Sequence, residues 1–168
     1  YVTVNRTDLT GRKIKNITAI RGVFFENDDN IGIETVPLEP TMAVKSSKGR
    51  GHMYYLLDEA VTADRSSIGK FSSMMNFLVS LGSDKNAKDL ARVLRLPGFY
   101  NVAHGKSELV KLVQTNKTRY TWKELLTAFD HDVEAKKLLS LSSPRKLIDI
   151  ALIYSALTAI DPDDYDNW

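Results

Sequence analysis

Three strand-like segments in the first part of the chain constrain its fold more than any other feature. The segment ITAIRGVFFE, from Ile17 to Glu26, is rich in β-branched and aromatic residues and ends at the polar cluster NDDN. Two more such segments, TMAVKS and GHMYYLL, are separated by SKGRG, a spacing that is typical of a β-hairpin. These segments predict a sheet that contains at least one hairpin.

Helix-like segments follow and dominate the last part of the chain. SSIGKFSSMMNFLVSLG has apolar residues three or four positions apart, as in an amphipathic helix that ends at Gly82. Thr121 and Glu124 form the pattern of a capping box at the start of another helix, and VEAKKLLSL and SPRKLIDIALIYSAL predict two more. We therefore predict an α+β fold: a core with a mixed sheet over 1–117, then a small helical bundle over 118–168.

Composition excludes several classes of protein. The chain has 168 residues, 43% hydrophobic content and a net charge of +2, which is ordinary for a globular protein that buries a core. It has no cysteine, which excludes disulfides, thiol nucleophiles and cysteine-bound zinc. No apolar run reaches the ~20 residues that a membrane-spanning helix needs. The abrupt ends lead us to expect a piece of a longer protein.

Carboxylates follow the first long strand segment. Glu26 and Asp28 are two positions apart, so on a strand they point to the same face, and Asp29 comes next. Their mutual repulsion is relieved if a cation lies between them, and oxygen ligands suit Mg²⁺ or Mn²⁺. The alternative is a solvated strand end that leads into an acidic turn.

The turn between the two hairpin strands is cationic and rich in glycine. Gly49 and Gly51 allow the backbone to approach a ligand closely, which is what a phosphate-binding turn requires. The hydrogen-bond donors around these glycines are Ser46, Ser47, Lys48, Arg50 and His52. The alternative is an ordinary basic turn followed by a histidine that only packs. The spacing is not that of a Walker loop.

A third segment, DLARVLRLPGF, is predicted as either a short helix or a strand. Its Asp89, Arg92 and Arg95 are costly to bury unpaired in an otherwise apolar run. A surface helix with ion pairs three positions apart is the alternative. Taken together, three carboxylates, a phosphate-binding turn and two arginines suit two-metal nucleotidyl transfer. The sequence contains no GxSxG nucleophile motif, and its histidines are too scattered for a zinc hydrolase.

The order of these motifs resembles the archaeo-eukaryotic primase superfamily. The matching features are an apolar strand before an acid-x-acid pair, then SxKGxGH before a strand, then DxxRxxRLPG. More narrowly, residues from Tyr1 to Thr127 are similar to the RepB-like primase-polymerases of phages and plasmids. The end, ALTAIDPDDYDNW, resembles the opening of the helical domain that follows such primases and precedes a helicase.

This resemblance implies a role for each matching residue. The catalytic metal ligands for two Mg²⁺ or Mn²⁺ ions would be Glu26, Asp28 and Asp89, with Asp29 and Asp84 as alternates. The incoming nucleotide would be bound by Ser47, Lys48, Arg50 and His52, while Arg92 and Arg95 would face its phosphates or the template. The implied partners are a DNA template, nucleoside triphosphates and a helicase domain in the same full-length chain. A cytoplasmic protein of a bacterial or archaeal host cell, without membrane attachment, is also implied.

Two other functions remain open from the sequence. A non-catalytic primase-like module would recognise an origin or single-stranded DNA, with aromatic residues near cations stacking on bases: Tyr54, Tyr55, Phe99 and Tyr100. Core packing is the alternative role for Tyr54 or Tyr55, whichever faces inward. A metal-dependent nuclease would share the carboxylates but would not need a triphosphate-binding turn.

Overall fold

The computed structural model describes residues 1–27, 36–102 and 107–129, which belong to one compact unit, Tyr1–Val133. The strands are β1 Val2–Thr3, β2 Arg6–Thr7, β3 Ile17–Asn27, β4 Met42–Ser47, β5 Arg50–Thr62, β6 Val93–Leu94, β7 Tyr100–Asn101, β8 Glu108–Leu109 and β9 Lys111–Thr115. The helices are α1 Arg65–Ser80 and α2 Trp122–Phe129, with a 3₁₀ turn at Ile14–Asn16. Neither helix is both long and apolar enough to cross a membrane.

The main sheet has five strands in the order β2-β3-β5-β4-β9. Every neighbouring pair in it is antiparallel, and β4 and β5 form the predicted hairpin. An isolated parallel bridge joins Leu57 to Tyr120. The predicted α+β class is therefore confirmed. Among the residues that the structure describes, the main sheet is antiparallel, and parallel pairing is limited to this bridge.

The core lies where α1 packs on β3 and α2 packs on β5. The middle of each long strand is a nearly continuous apolar run because that part is buried on both faces; Val23, Phe24 and Phe25 have no exposed surface. Helix α1 begins at Asp64, whose carboxylate accepts a hydrogen bond from the Ser67 N–H (2.8 Å). The buried face of α1 consists of Phe71, Met74, Met75 and Leu78, as its periodicity predicts.

Helix α2 opens with the predicted capping box. The Thr121 N–H donates to Glu124 Oε2 (2.7 Å), and the Glu124 N–H donates to Thr121 Oγ1 (3.2 Å). Leu125 and Phe129 are fully buried, and the Phe129 ring lies 5.1 Å from that of Tyr55. The first helix assigned to the C-terminal bundle thus packs into the core of the first unit. The boundary at 117/118 stays a prediction, and the two later helices lie outside the described residues.

The segment that carries Asp89 and Arg92 is a turn that leads into β6, which pairs with β1. Asn5 connects this segment to the sheet and is only 1% exposed. Its Nδ2 donates to the Leu90 carbonyl (3.1 Å), and its Oδ1 accepts from the Arg21 N–H (2.9 Å). The Asn5 amide therefore holds the Asp89–Arg92 segment against β3.

Candidate active site

Two of the three predicted metal ligands meet at one arginine. Glu26 lies near the end of β3, where its N–H donates to Ser83 Oγ (3.0 Å). Arg92 Nε lies 3.7 Å from Glu26 Oε2, and Arg92 Nη1 lies 3.7 Å from Asp89 Oδ2. The structure thus brings together Glu26, Asp89 and Arg92, which the sequence predicts to act at one site.

The guanidinium of Arg92 compensates the charge of the two carboxylates. The Glu26 and Arg92 side chains are 21% and 25% exposed, while Asp89 is 48% exposed, so the group is partly accessible to solvent. Arg92 Nη2 also donates to the Asn86 carbonyl, which fixes its position. Both cation contacts are longer than a hydrogen bond, so Arg92 does not hold either carboxylate tightly.

The remaining acidic candidates contribute differently. Asp28 and its alternate Asp29 lie outside the described residues. Asp84 binds its own turn, because its carboxylate accepts from the Asn86 N–H (2.8 Å) and its N–H donates to the Glu26 carbonyl (3.0 Å). Within the described ranges, no three histidine, cysteine, aspartate or glutamate side chains converge as metal ligands would.

The β4–β5 turn presents its cations at the surface. Lys48 and Arg50 are exposed, Ser47 is half-buried, and Gly49 has a φ of +72°, where other residues are strained. Gly51 is required for a different reason. A Cβ there would lie 2.7 Å from the Val44 carbonyl oxygen, so its close approach is to the neighbouring strand.

His52 lies directly across the ladder from Glu26. Its side chain is only 3% exposed, and burial is the main cause that lowers its pKa to about 4, so the imidazole is neutral at pH 7. The ring hydrogen-bonds the backbone of Arg95 and packs edge-on against Tyr54, with 5.3 Å between ring centroids. The His52 Nε2 atom is buried without a hydrogen-bond partner among the described residues.

Arg95 lies between His52 and a group of exposed aromatic side chains. Its guanidinium is 5.8 Å from the centre of the Tyr1 ring, and both residues line a recess of about 270 Å³. Phe99 and Tyr100, which line the same recess, are 64% and 66% exposed. These aromatic residues therefore remain available for stacking.

Tyr54 and Tyr55 instead belong to the core. They are 3% and 0% exposed. Both are buried, where the sequence led us to expect that only one of the pair faces inward. The reason is that β5 is covered on both of its faces, so alternate residues do not differ in burial.

A cluster of cations beside the carboxylates was not predicted. Arg12, Lys13 and Lys15 line a recess of about 650 Å³ together with Asp89 and Arg92. We call this recess the basic cleft. The only sequence signal was the density of charge in GRKIKN, because nothing local shows that this loop faces a segment so far along the chain.

Comparison with known proteins bears on the family and the fold of the chain. The family described as the RepB DNA-primase N-terminal domain matches residues 14–136. Among solved structures, the chain is similar to the AEP domain of the cyanophage S-2L primase-polymerase, PP-N190. The TM-score is 0.63 at 21% identity, over 77% of this chain and 69% of that chain.

Two structures of primase RepB′ are more distant. The first has a TM-score of 0.46 and 20% identity, over 73% of this chain and 46% of that chain. The second, the RepB′ catalytic domain in complex with initiator DNA, has a TM-score of 0.48 and 20% identity, over 70% of this chain and 63% of that chain. Among curated proteins, no sequence matches significantly.

The family match covers most of the chain, and it includes all three motifs on which the resemblance rests. The fold agrees with that of a primase-polymerase domain. Membership supports an enzyme of the nucleotidyltransferase type. The chain belongs to the RepB DNA-primase N-terminal domain family.

Proposed function

We propose that the chain is the catalytic part of a metal-dependent nucleotidyltransferase, a DNA primase/DNA polymerase that synthesises or extends primers on a DNA template. The observation that carries this proposal is the meeting of Glu26 and Asp89 at Arg92, with 3.7 Å contacts to each carboxylate. Two acids from distant parts of the sequence, held beside a basic turn, suit phosphoryl chemistry better than structural pairing. Family membership supports the same reaction class.

The metal ligands in this proposal are Glu26, Asp28 and Asp89. Their donor chemistry fits Mg²⁺ or Mn²⁺, because both prefer carboxylate oxygen ligands. When bound, such ions supply charge neutralisation on the triphosphate. Arg92 lies between two of these ligands, so it also faces the phosphates of a nucleotide bound there.

The triphosphate is bound by the β4–β5 turn. Ser47, Lys48 and Arg50 offer hydroxyl and cationic donors on this turn, and Arg50 lines a recess of about 280 Å³ together with His52. The buried Nε2 of His52 has no partner in the described residues, and it would donate to a phosphate oxygen once the ring is protonated, because a neutral ring that donates from its other nitrogen offers only a lone pair there. Arg95 is held by His52 and faces either the triphosphate or the template.

The wider role follows from the family. We propose that the domain acts in the replication of a phage or plasmid, in the cytoplasm of a bacterial or archaeal host cell. Its partners are then a DNA template, nucleoside triphosphates and a helicase domain in the same full-length chain.

The experiment that tests this function is template-dependent nucleotide incorporation by Asp89→Asn. We expect loss of incorporation with Mg²⁺ and with Mn²⁺, by about 100-fold or more, because electrostatic stabilisation of the transition state depends on the ligands. The fold should remain, because the Asp89–Arg92 pair is half-exposed and worth about 0–1 kcal/mol.

Glu59→Gln is the matched control. Glu59 is an exposed carboxylate on β5, at the opposite end of that strand from His52. It should keep wild-type incorporation. If Asp89→Asn and Glu59→Gln were equally active, the assignment of the carboxylates would be wrong. Reactions without template separate polymerisation from terminal transfer, and release of nucleotides from labelled DNA would indicate a nuclease instead.

A second candidate function is the non-catalytic binding of an origin or of single-stranded DNA. The exposure of Phe99 and Tyr100 beside Arg95 favours it, because bases stack on such side chains irrespective of sequence. This function would be favoured over the first if the chain bound DNA, with or without origin specificity, but incorporated no nucleotide with any metal ion.

A further inference from the structure

The basic cleft and the nucleotide recess, which is the recess of about 280 Å³ beside the β4–β5 turn, are each lined by neighbours of Glu26. The nucleotide recess is lined by Asn27 and His52, the neighbours of Glu26 along β3 and across the ladder. The basic cleft is lined by Asp89 and Arg92, the partners of Glu26 in the carboxylate group. The basic cleft is thus the recess that contains two members of the carboxylate group, while the nucleotide recess lies beside the adjacent ends of β3 and β5.

The cations of the basic cleft are carried by a loop that is held in one conformation. Asn16, which is 8% exposed, organises it from within. Its Nδ2 donates to Asp8 Oδ2 (3.1 Å) and Thr10 Oγ1 (3.0 Å), while its Oδ1 accepts from the Lys13 N–H (3.1 Å). Such preorganisation lowers the entropic cost of binding, because the loop is ordered before a ligand arrives.

The loop presents its charge toward solvent. Arg12, Lys13 and Lys15 are all exposed, and none forms an ion pair with an acidic side chain in the part of the chain that the structure describes. Three neighbouring like charges repel each other, so a polyanion that enters the cleft gains attraction and also relieves this repulsion.

We propose that the basic cleft binds the phosphate backbone of single-stranded DNA and leads that strand to the carboxylates. This inference rests on the proposed function, which makes DNA the polyanion. A strand fits better than a second nucleotide, because the cations of the cleft follow one another along a loop, as the phosphates of a strand do. The nucleotide recess, at about 280 Å³ against about 650 Å³, is the more compact of the two.

The test is the affinity of the double variant Arg12→Gln/Lys15→Gln for a labelled oligothymidine, measured by fluorescence anisotropy without metal or nucleotide. Each phosphate contact contributes a slope of roughly −0.7 to log K against log salt, so two lost contacts should weaken binding about 25-fold at 0.1 M salt. The salt slope should become less steep by about 1.4 for the same reason.

The control removes the same charge from other surfaces. Lys70→Gln/Lys123→Gln changes exposed lysines on α1 and α2, outside both recesses, and should retain nearly all of the affinity. Nucleotide affinity of the Arg12→Gln/Lys15→Gln variant, measured separately with Mg²⁺, should be unchanged.

Either of two results would overturn the inference. Equal losses of DNA affinity in the two double variants would mean that binding depends only on the net charge of the protein. Loss of nucleotide affinity with DNA affinity intact would make the cleft a triphosphate site. Both readouts are independent of catalysis, so a catalytically inactive chain that still binds DNA through the cleft would contradict the proposed function and leave this inference standing.

Discussion

Asn5 contributes both to the stability of the fold and to the position of the candidate site. Asn5→Ala removes two hydrogen bonds and leaves the buried Leu90 carbonyl and the Arg21 N–H without partners. An orphaned buried group costs about 1–3 kcal/mol, and the Arg21 group is only partly buried, so we expect a loss of about 2–4 kcal/mol in the free energy of unfolding. For a chain of this size, that corresponds to a fall in melting temperature of roughly 4–16 °C.

The same substitution should impair incorporation more than a change of equal stability elsewhere. The Asn5 amide fixes the turn that carries Asp89 and Arg92, so its loss allows these side chains to drift from Glu26. Urea unfolding measures the stability, and incorporation is assayed at a temperature where the variant remains folded.

Asn116→Ala is the matched control for Asn5→Ala. Asn116 also forms two hydrogen bonds to the backbone, with the Pro40 carbonyl and the Thr118 N–H (both 2.9 Å), but it is half-buried. Water can replace its amide, so the loss should stay below about 1.5 kcal/mol. Equal losses at the two asparagines, or a loss below about 1 kcal/mol for Asn5→Ala, would refute the reasoning from buried unsatisfied groups.

Three further outcomes are expected in unfolding experiments. The pKa of His52 is about 4 in the folded chain and 6.5 in the unfolded chain, so the unfolded state binds the proton first as the pH falls. The free energy of unfolding should therefore fall by up to about 3 kcal/mol from pH 6.5 to pH 4. His52→Gln should flatten the plot of stability against pH over that range. Gly51→Ala should cost about 1–3 kcal/mol because the neighbouring strand must move, whereas Gly49→Asn should cost under about 1 kcal/mol because asparagine tolerates positive φ. Phe129→Ala should cost about 3–5 kcal/mol through the cavity it leaves, and exposed Thr127→Ala under about 0.5 kcal/mol.

Elements with a strong local pattern were predictable from the sequence. The strand β3, the β4–β5 hairpin, helix α1 and the capping box of α2 are encoded in periodicity and turn residues that lie close together in the chain. The nearness of Glu26 to Asp89 was expected from the combined inventory of motifs and from the family resemblance, since no local pattern contains it.

Features that depend on distant partners were not predictable. The two-residue strand β6 exists because it pairs with β1, so DLARVLRLPGF alone could not decide between helix and strand. The two hydrogen bonds of the Asn5 amide join it to Leu90 and Arg21, which come close to Asn5 only in the folded chain. From the sequence we expected Gly51 to allow the close approach of a ligand. In the structure, the group that lies close to Gly51 is the Val44 carbonyl.

The packing of Gly11 against Asn16 has a consequence for natural variation. A Cβ at position 11 would lie 2.8 Å from Asn16 Oδ1, so a larger residue there displaces the amide that organises the loop. The two positions are therefore constrained jointly by selection, and each limits which mutations of the other are accepted. Homologues that carry a side chain at position 11 should also have replaced Asn16, and lineages that kept the asparagine should have kept the glycine.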